Sequence, residues 1–133
     1  MPRIDRDDQD DSVAFPILRG ESVGESGEFR GYVAIIRDAS HLSRKLTGNH
    51  VAVLHHLLEP HFAKNPDDLD ELMKKVSAVI SEFGDAVSDF AAAAYHRETI
   101  AVVKVVDACH VLEENMHIRI IAHENNGDIF FID

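Results

Sequence analysis

The chain has 133 residues, 45% of them hydrophobic, enough for one core of ordinary size. Twenty-four acidic residues against thirteen basic ones leave a formal charge of -11, and a field of that sign repels phosphate backbones and anionic headgroups, which sets nucleic-acid and membrane-surface roles aside. No apolar run approaches the roughly 20 residues that cross a bilayer, the acidic start is unlike a secretory signal, and the single cysteine, Cys109, excludes an intrachain disulfide and a thiolate metal cluster.

These features lead to the expectation of a soluble, cytoplasmic protein with Cys109 as a small buried residue. "MPRIDRDDQDDS" carries five Asp and two Arg with almost nothing apolar, so residues 1–13 are expected to form a disordered acidic tail and residues 14–133 a single domain. "AFPILRGESVGESGEFRG" places Gly20, Gly24, Gly27 and Gly31 among Ser and Glu, a spacing that suits turns. It lacks the Lys and the helix start of a phosphate-cradling loop.

"FRGYVAII" is a β-rich run, and "DASHLSRKL" follows with Asp38 or Ser40 placed to cap a short helix. "HVAVLH" predicts another strand. "NPDDLDELMKKV" predicts a helix, with Pro66 early, acids in its first turn and Lys74 and Lys75 in its last, an order that complements the helix dipole. "VSAVIS" and "TIAVVKVV" predict strands short and apolar enough to be buried on both faces. Between them "SEFGDAVSDFAAAAYHR" runs from a Gly turn into a small-residue helix. Strands alternating with helices imply parallel pairing through right-handed crossovers. At the end, "MHIRIIAH" and "DIFFID" flank "ENNG", where Asn126-Gly127 signals an antiparallel hairpin.

The ordered series "GESVGESGEFRGYVAIIRD", "VAVLHHLLEP" and "AVISEFGDAVSDFAAAAYHRETIAVVKV" resembles the mobile, swivelling phosphohistidine domain of phosphoenolpyruvate-utilising enzymes, over about Phe15 to Asp133. The resemblance implies an α/β fold of the swivelling β/β/α kind, a mostly parallel central sheet flanked by helices and closed by a C-terminal β-hairpin. Laid on the family's site pattern, Ser81 and Gly84 match the leading Thr and first Gly, Asp85 the second Gly, Val87 the Thr, and Ser88 the Ser or Cys. Asp89 then stands where the phosphate-bearing His would be.

That substitution implies a stand-alone relative without phosphotransfer activity, working with no cofactor by docking to a protein partner. Two alternatives stay open: a phosphotransfer subunit acting in trans through Asp89 or a distant His, and a small anion-binding module at the helix start near Gly84, Asp85 and Ser88. The plainer reading of the same residues is that Ser88 or Asp85 caps the helix and Asp89 sits in its first turn. "HHLLEPH" holds metal-type ligands in His55, His56, Glu59 and His61. Pro60 interrupts it, and adjacent histidines on an extended strand point to opposite sides, so no metal site is expected there.

Overall fold

The computed structural model describes residues 15–84 and 89–132, apart from the side chains of residues 89 and 90. Seven strands form one closed barrel: β1 (Leu18–Ser22), β2 (Gly27–Ile36), β3 (His50–Leu54), β4 (Ala78–Ser81), β5 (Ile100–Val103), β6 (His117–His123) and β7 (Asn126–Phe131). They run around the barrel in the order β1-β5-β4-β3-β2-β6-β7, and β1 pairs with β7 to close it. The pairs β2–β3, β3–β4 and β4–β5 are parallel, and the four remaining pairs, which involve β1, β6 and β7, are antiparallel.

The period of two along each strand sorts the apolar residues into two cores. Val33 and Ile35 pair with Val51 and Val53, and with Ile80, Val102, Ile118, Ile120 and Ile129 they fill the barrel interior. The intervening Ile36, Ala52, Leu54, Val79, Ala101 and Val103 point outward and lie under the helices. That outer layer contains α1 (Glu59–Lys64), α2 (Pro66–Lys75) and α3 (Asp89–His96). α2 buries Leu69, Leu72 and Met73 at helical spacing. Its Asp70 takes a bidentate pair of 2.7 Å hydrogen bonds from Arg97, just beyond α3, which locks the two helices together. A fourth helix, α4 (Ala108–Val111), is a single turn. Among the described residues no helix is long and apolar enough to cross a membrane.

The expected strands, the helix at Pro66–Lys75, the parallel pairing of β2 to β5 and burial of β4 and β5 on both faces are all present. The expected architecture is not: the sheet is a closed mixed barrel, not a mostly parallel sheet flanked by helices. A strand between a barrel interior and one helical layer has the same continuous apolar run as a strand between two helical layers, so hydropathy cannot tell them apart.

The glycines are the second correction. Gly20 lies within β1 and Gly31 within β2, so neither makes a turn. Gly127, expected in the hairpin turn, is the second residue of β7, and the two-residue turn is Glu124 and Asn125. Gly20 and Gly127 face each other across the β1–β7 seam. A Cβ on Gly127 would stand 2.4 Å from Val102 Cγ2, and one on Gly20 would stand 2.4 Å from the Val103 carbonyl and 2.8 Å from Val102 Cγ1. Both positions are bare so that β5 can come close.

Gly127→Ala should therefore destabilise the fold by about 1 to 3 kcal/mol, the usual range for overpacking. In a double-mutant cycle read by denaturant unfolding, Val102→Ala should recover part of that loss. Additivity of the two changes would show that the methyl groups do not compete.

Candidate functional site

Because β2 to β5 are parallel, their C-terminal ends lie at one rim of the barrel, where open parallel sheets commonly place their sites. Residues that follow those strands gather there: Arg37 after β2, His55 and His56 after β3, Glu82 after β4 and, beyond Lys104 and a short loop, Cys109 after β5. The loop after β5 turns sharply, with Lys104 and Asp107 both in the left-handed region at φ 59° and 62°. Its Val105 amide donates to the Ser81 carbonyl at 3.0 Å, so the loop folds back over the rim.

Glu82 is the hub of this rim. Its side chain is only 5% exposed. Oε1 accepts from the His56 amide and ring Nδ1, both at 2.8 Å, and Oε2 accepts from the Cys109 amide at 2.9 Å. Burial works against its charge, but the bonds from the Cys109 amide and the His56 ring and amide together hold the carboxyl below the ordinary glutamate value. An ionised carboxylate only accepts, so Nδ1 of His56 carries the proton of this bond.

His55 caps the 3-10 turn at His56–Leu58, its Nδ1 accepting from the Leu57 amide at 3.1 Å. The chain turns at this point, so the two rings stack with centroids 4.2 Å apart instead of pointing to opposite sides. Pro60 does not interrupt the stretch either; it sits in the first turn of α1, where its missing N–H costs nothing. His61, on α1, faces Asp68 at 2.7 Å.

Beside this cluster is a cavity of about 450 Å³, whose lining includes Arg37, His41, Arg44, His110, Glu113 and Glu114. Arg44 is committed to Glu114 and to the Ile35 carbonyl, and Glu114 also accepts from the Ile35 amide at 2.9 Å. Arg44 draws the Glu114 carboxyl below its ordinary range against the effect of burial. Arg37 is freer: Nη2 donates to the Cys109 carbonyl at 3.0 Å, and its other guanidinium donors have no partner among the described residues. The Cys109 peptide thus joins the two halves of the rim, donating to Glu82 and accepting from Arg37. Its thiol is buried as expected, and burial followed by the Glu82 charge pushes it up to about 12, which leaves it unreactive.

Of the residues singled out from sequence, Gly84 follows β4 at φ 100°, a conformation that favours glycine. Asp85 and Ser88 lie outside the described residues, and Asp89 is the first residue of α3 with its side chain outside them too. Arg37, Glu82 and the Cys109 peptide went unremarked. Their common signal is position, as polar residues at or beyond the ends of apolar runs that proved to be parallel.

The fold class is therefore a closed mixed barrel with a polar rim at the ends of its parallel strands. Solved structures of the same shape include aconitase X of Thermococcus kodakaraensis in its holo form, with TM-score 0.54 and 15% identity over 85% of this chain and 97% of that one. A UPF0107 protein solved by NMR matches with TM-score 0.53 and 11% identity over 91% of this chain and 100% of that one. At these identities the likeness is one of fold. No family model and no curated protein matches the chain.

The resemblance to the phosphohistidine swivelling domain is overturned by these neighbours and by the closed barrel. The readings built on it fall with it: the silent relative that docks to a partner, and phosphotransfer in trans through Asp89 or a distant His. The helix-start anion module involves Asp85 and Ser88, which lie outside the described residues. The short motifs that carried the resemblance are apolar strands and a small-residue helix, which serve core packing in more than one fold.

Because the folded-state Glu82 carboxyl is held below its unfolded value, it contributes stability that is present above the ordinary glutamate range and lost as pH falls through and below it. Glu82→Gln should be less stable than the parent at neutral pH and should lose less stability on acidification. Melting temperatures of the two proteins across an acid series check this, and parallel curves would sink the assignment.

Proposed function

We propose that the protein acts on a small hydroxy acid at the rim cavity, in a reaction of the kind the name aconitase denotes: the reversible loss of water. The observation that supports this most is Arg37, a guanidinium anchored by one main-chain bond, with donors to spare on a cavity large enough for a small metabolite. Arg is suited to a carboxylate because its planar fork can give two parallel hydrogen bonds. The fold neighbour named aconitase X agrees with this chemistry.

In such a reaction a proton leaves the carbon beside the carboxylate, hydroxide leaves the next carbon together with a proton, and a double bond forms between them. Two imidazoles line the cavity for those transfers. Nδ1 of His41 accepts from the Arg37 amide at 3.2 Å, so the neutral ring holds its proton on Nε2 and serves as the donor. His110 is the base.

The test is calorimetric titration of the full chain with citrate, malate and tartrate, alongside an ultraviolet assay for the conjugated acid. Arg37→Ala should weaken binding by roughly ten-fold or more, the cost of hydrogen bonds to a charged group. Glu113→Gln, which removes a like charge from the cavity wall, should tighten it. If none of these acids binds, or if Arg37→Ala binds equally well, the proposal is wrong.

A further inference from the structure

We infer that His55, His56 and Glu82 form a binding site for a first-row divalent transition ion, distinct from the organic-acid cavity. One nitrogen of each ring and one oxygen of Glu82 lie within 4.8 Å of one another. The donors come from two strand ends held in register by parallel pairing, Leu54 opposite Ser81. The Glu82 amide also donates to the Leu54 carbonyl at 3.1 Å, which fixes the next residue of each strand.

The closest pair shows how an ion would fit. His56 Nδ1 donates to Glu82 Oε1 at 2.8 Å. A zinc-type ion bound tetrahedrally to both, with bonds of about 2.0 to 2.2 Å, needs a separation of roughly 3.4 Å, so the ion takes the proton's place with a little over about half an ångström of movement. Glu82 is already oriented by the Cys109 amide, which donates to its Oε2 at 2.9 Å, as carboxylate ligands are by their outer partners. His55 is the weaker ligand, because the Leu57 amide engages its Nδ1.

Two imidazoles and a carboxylate suit zinc, cobalt, nickel or copper over calcium or magnesium, which favour oxygen donors alone. Three protein ligands leave a position open for water or a substrate oxygen.

The experiment is titration of the chelator-treated full chain with Co2+, read by the visible absorption of the bound ion and by calorimetry. One ion per chain is expected. His56→Ala should weaken it at least ten-fold, Glu82→Gln similarly, and His55→Ala by less. His123→Ala, at the far end of β6, should leave binding unchanged. The His56 side chain is 62% exposed, so its truncation should leave the fold intact, as circular dichroism would verify even if Glu82→Gln disturbs the rim. The inference is overturned if the parent shows no saturable binding, or if His56→Ala binds the ion as tightly as the parent. The organic-acid reading stands or falls separately, on Arg37.

Discussion

Closure of the barrel rests on the contact of Val102 with the bare backbone of Gly20 and Gly127. β1 has to pair with β5 on one side and β7 on the other, and Val102 fills the interior where these strands converge. With a side chain on either glycine the strands could not approach to hydrogen-bonding distance without displacing Val102 or the Val103 carbonyl. Were β1 unable to enter, β5 and β7 would become open edges, with unpaired backbone groups and an interior exposed to water. Two missing methyl groups therefore let the barrel close without displacing β5, which also explains why Gly occurs in strands where a β-branched residue has the higher propensity.

Closure also organises chemistry. Antiparallel strands alternate their ends around a barrel, whereas the parallel run β2 to β5 places four C-terminal ends side by side. Only that rim collects the Arg, His and Glu residues that follow those strands. Glu82 holds it together by accepting three hydrogen bonds from two other segments, which compensates for burying a charge. The Cys109 peptide extends the same frame to Arg37, so the position of the guanidinium depends on a carboxylate it does not touch.

Much of the fold was legible because its local signals agree. Strands β3 to β5 read as short apolar runs, and α2 reads from Pro66, its first-turn acids and its last-turn lysines. Closure was not legible, because it depends on which strand lies beside which. Gly20 and Gly127 are 107 positions apart in the chain and carry no sign that they meet. The same limit applies to the site. In sequence the polar pair Ser88 and Asp89 has the form of a motif, while Glu82, a few residues earlier, has the form of any surface acid. Its role comes from contacts with His56 and Cys109, 26 and 27 residues away. The two histidines were misjudged for a local reason: the strand ends at Leu54, one residue before the pair, and alternation no longer applies beyond it.

The net charge of -11 bears differently on the two halves of the rim. At a distance the field attracts cations and slows the approach of an acid, in keeping with a divalent ion at Glu82. It also disfavours the cavity as a general collector of anions. At physiological ionic strength, however, exposed charges are screened beyond about 8 Å, so within the cavity the nearest groups decide. There Arg44 is already balanced by Glu114, and the contest lies between Arg37 and Glu113. An acid that reaches Arg37 gains directed hydrogen bonds, whereas Glu113 opposes it only through charge. On the proposed reading the rim selects by geometry at short range, against the sign of the protein as a whole.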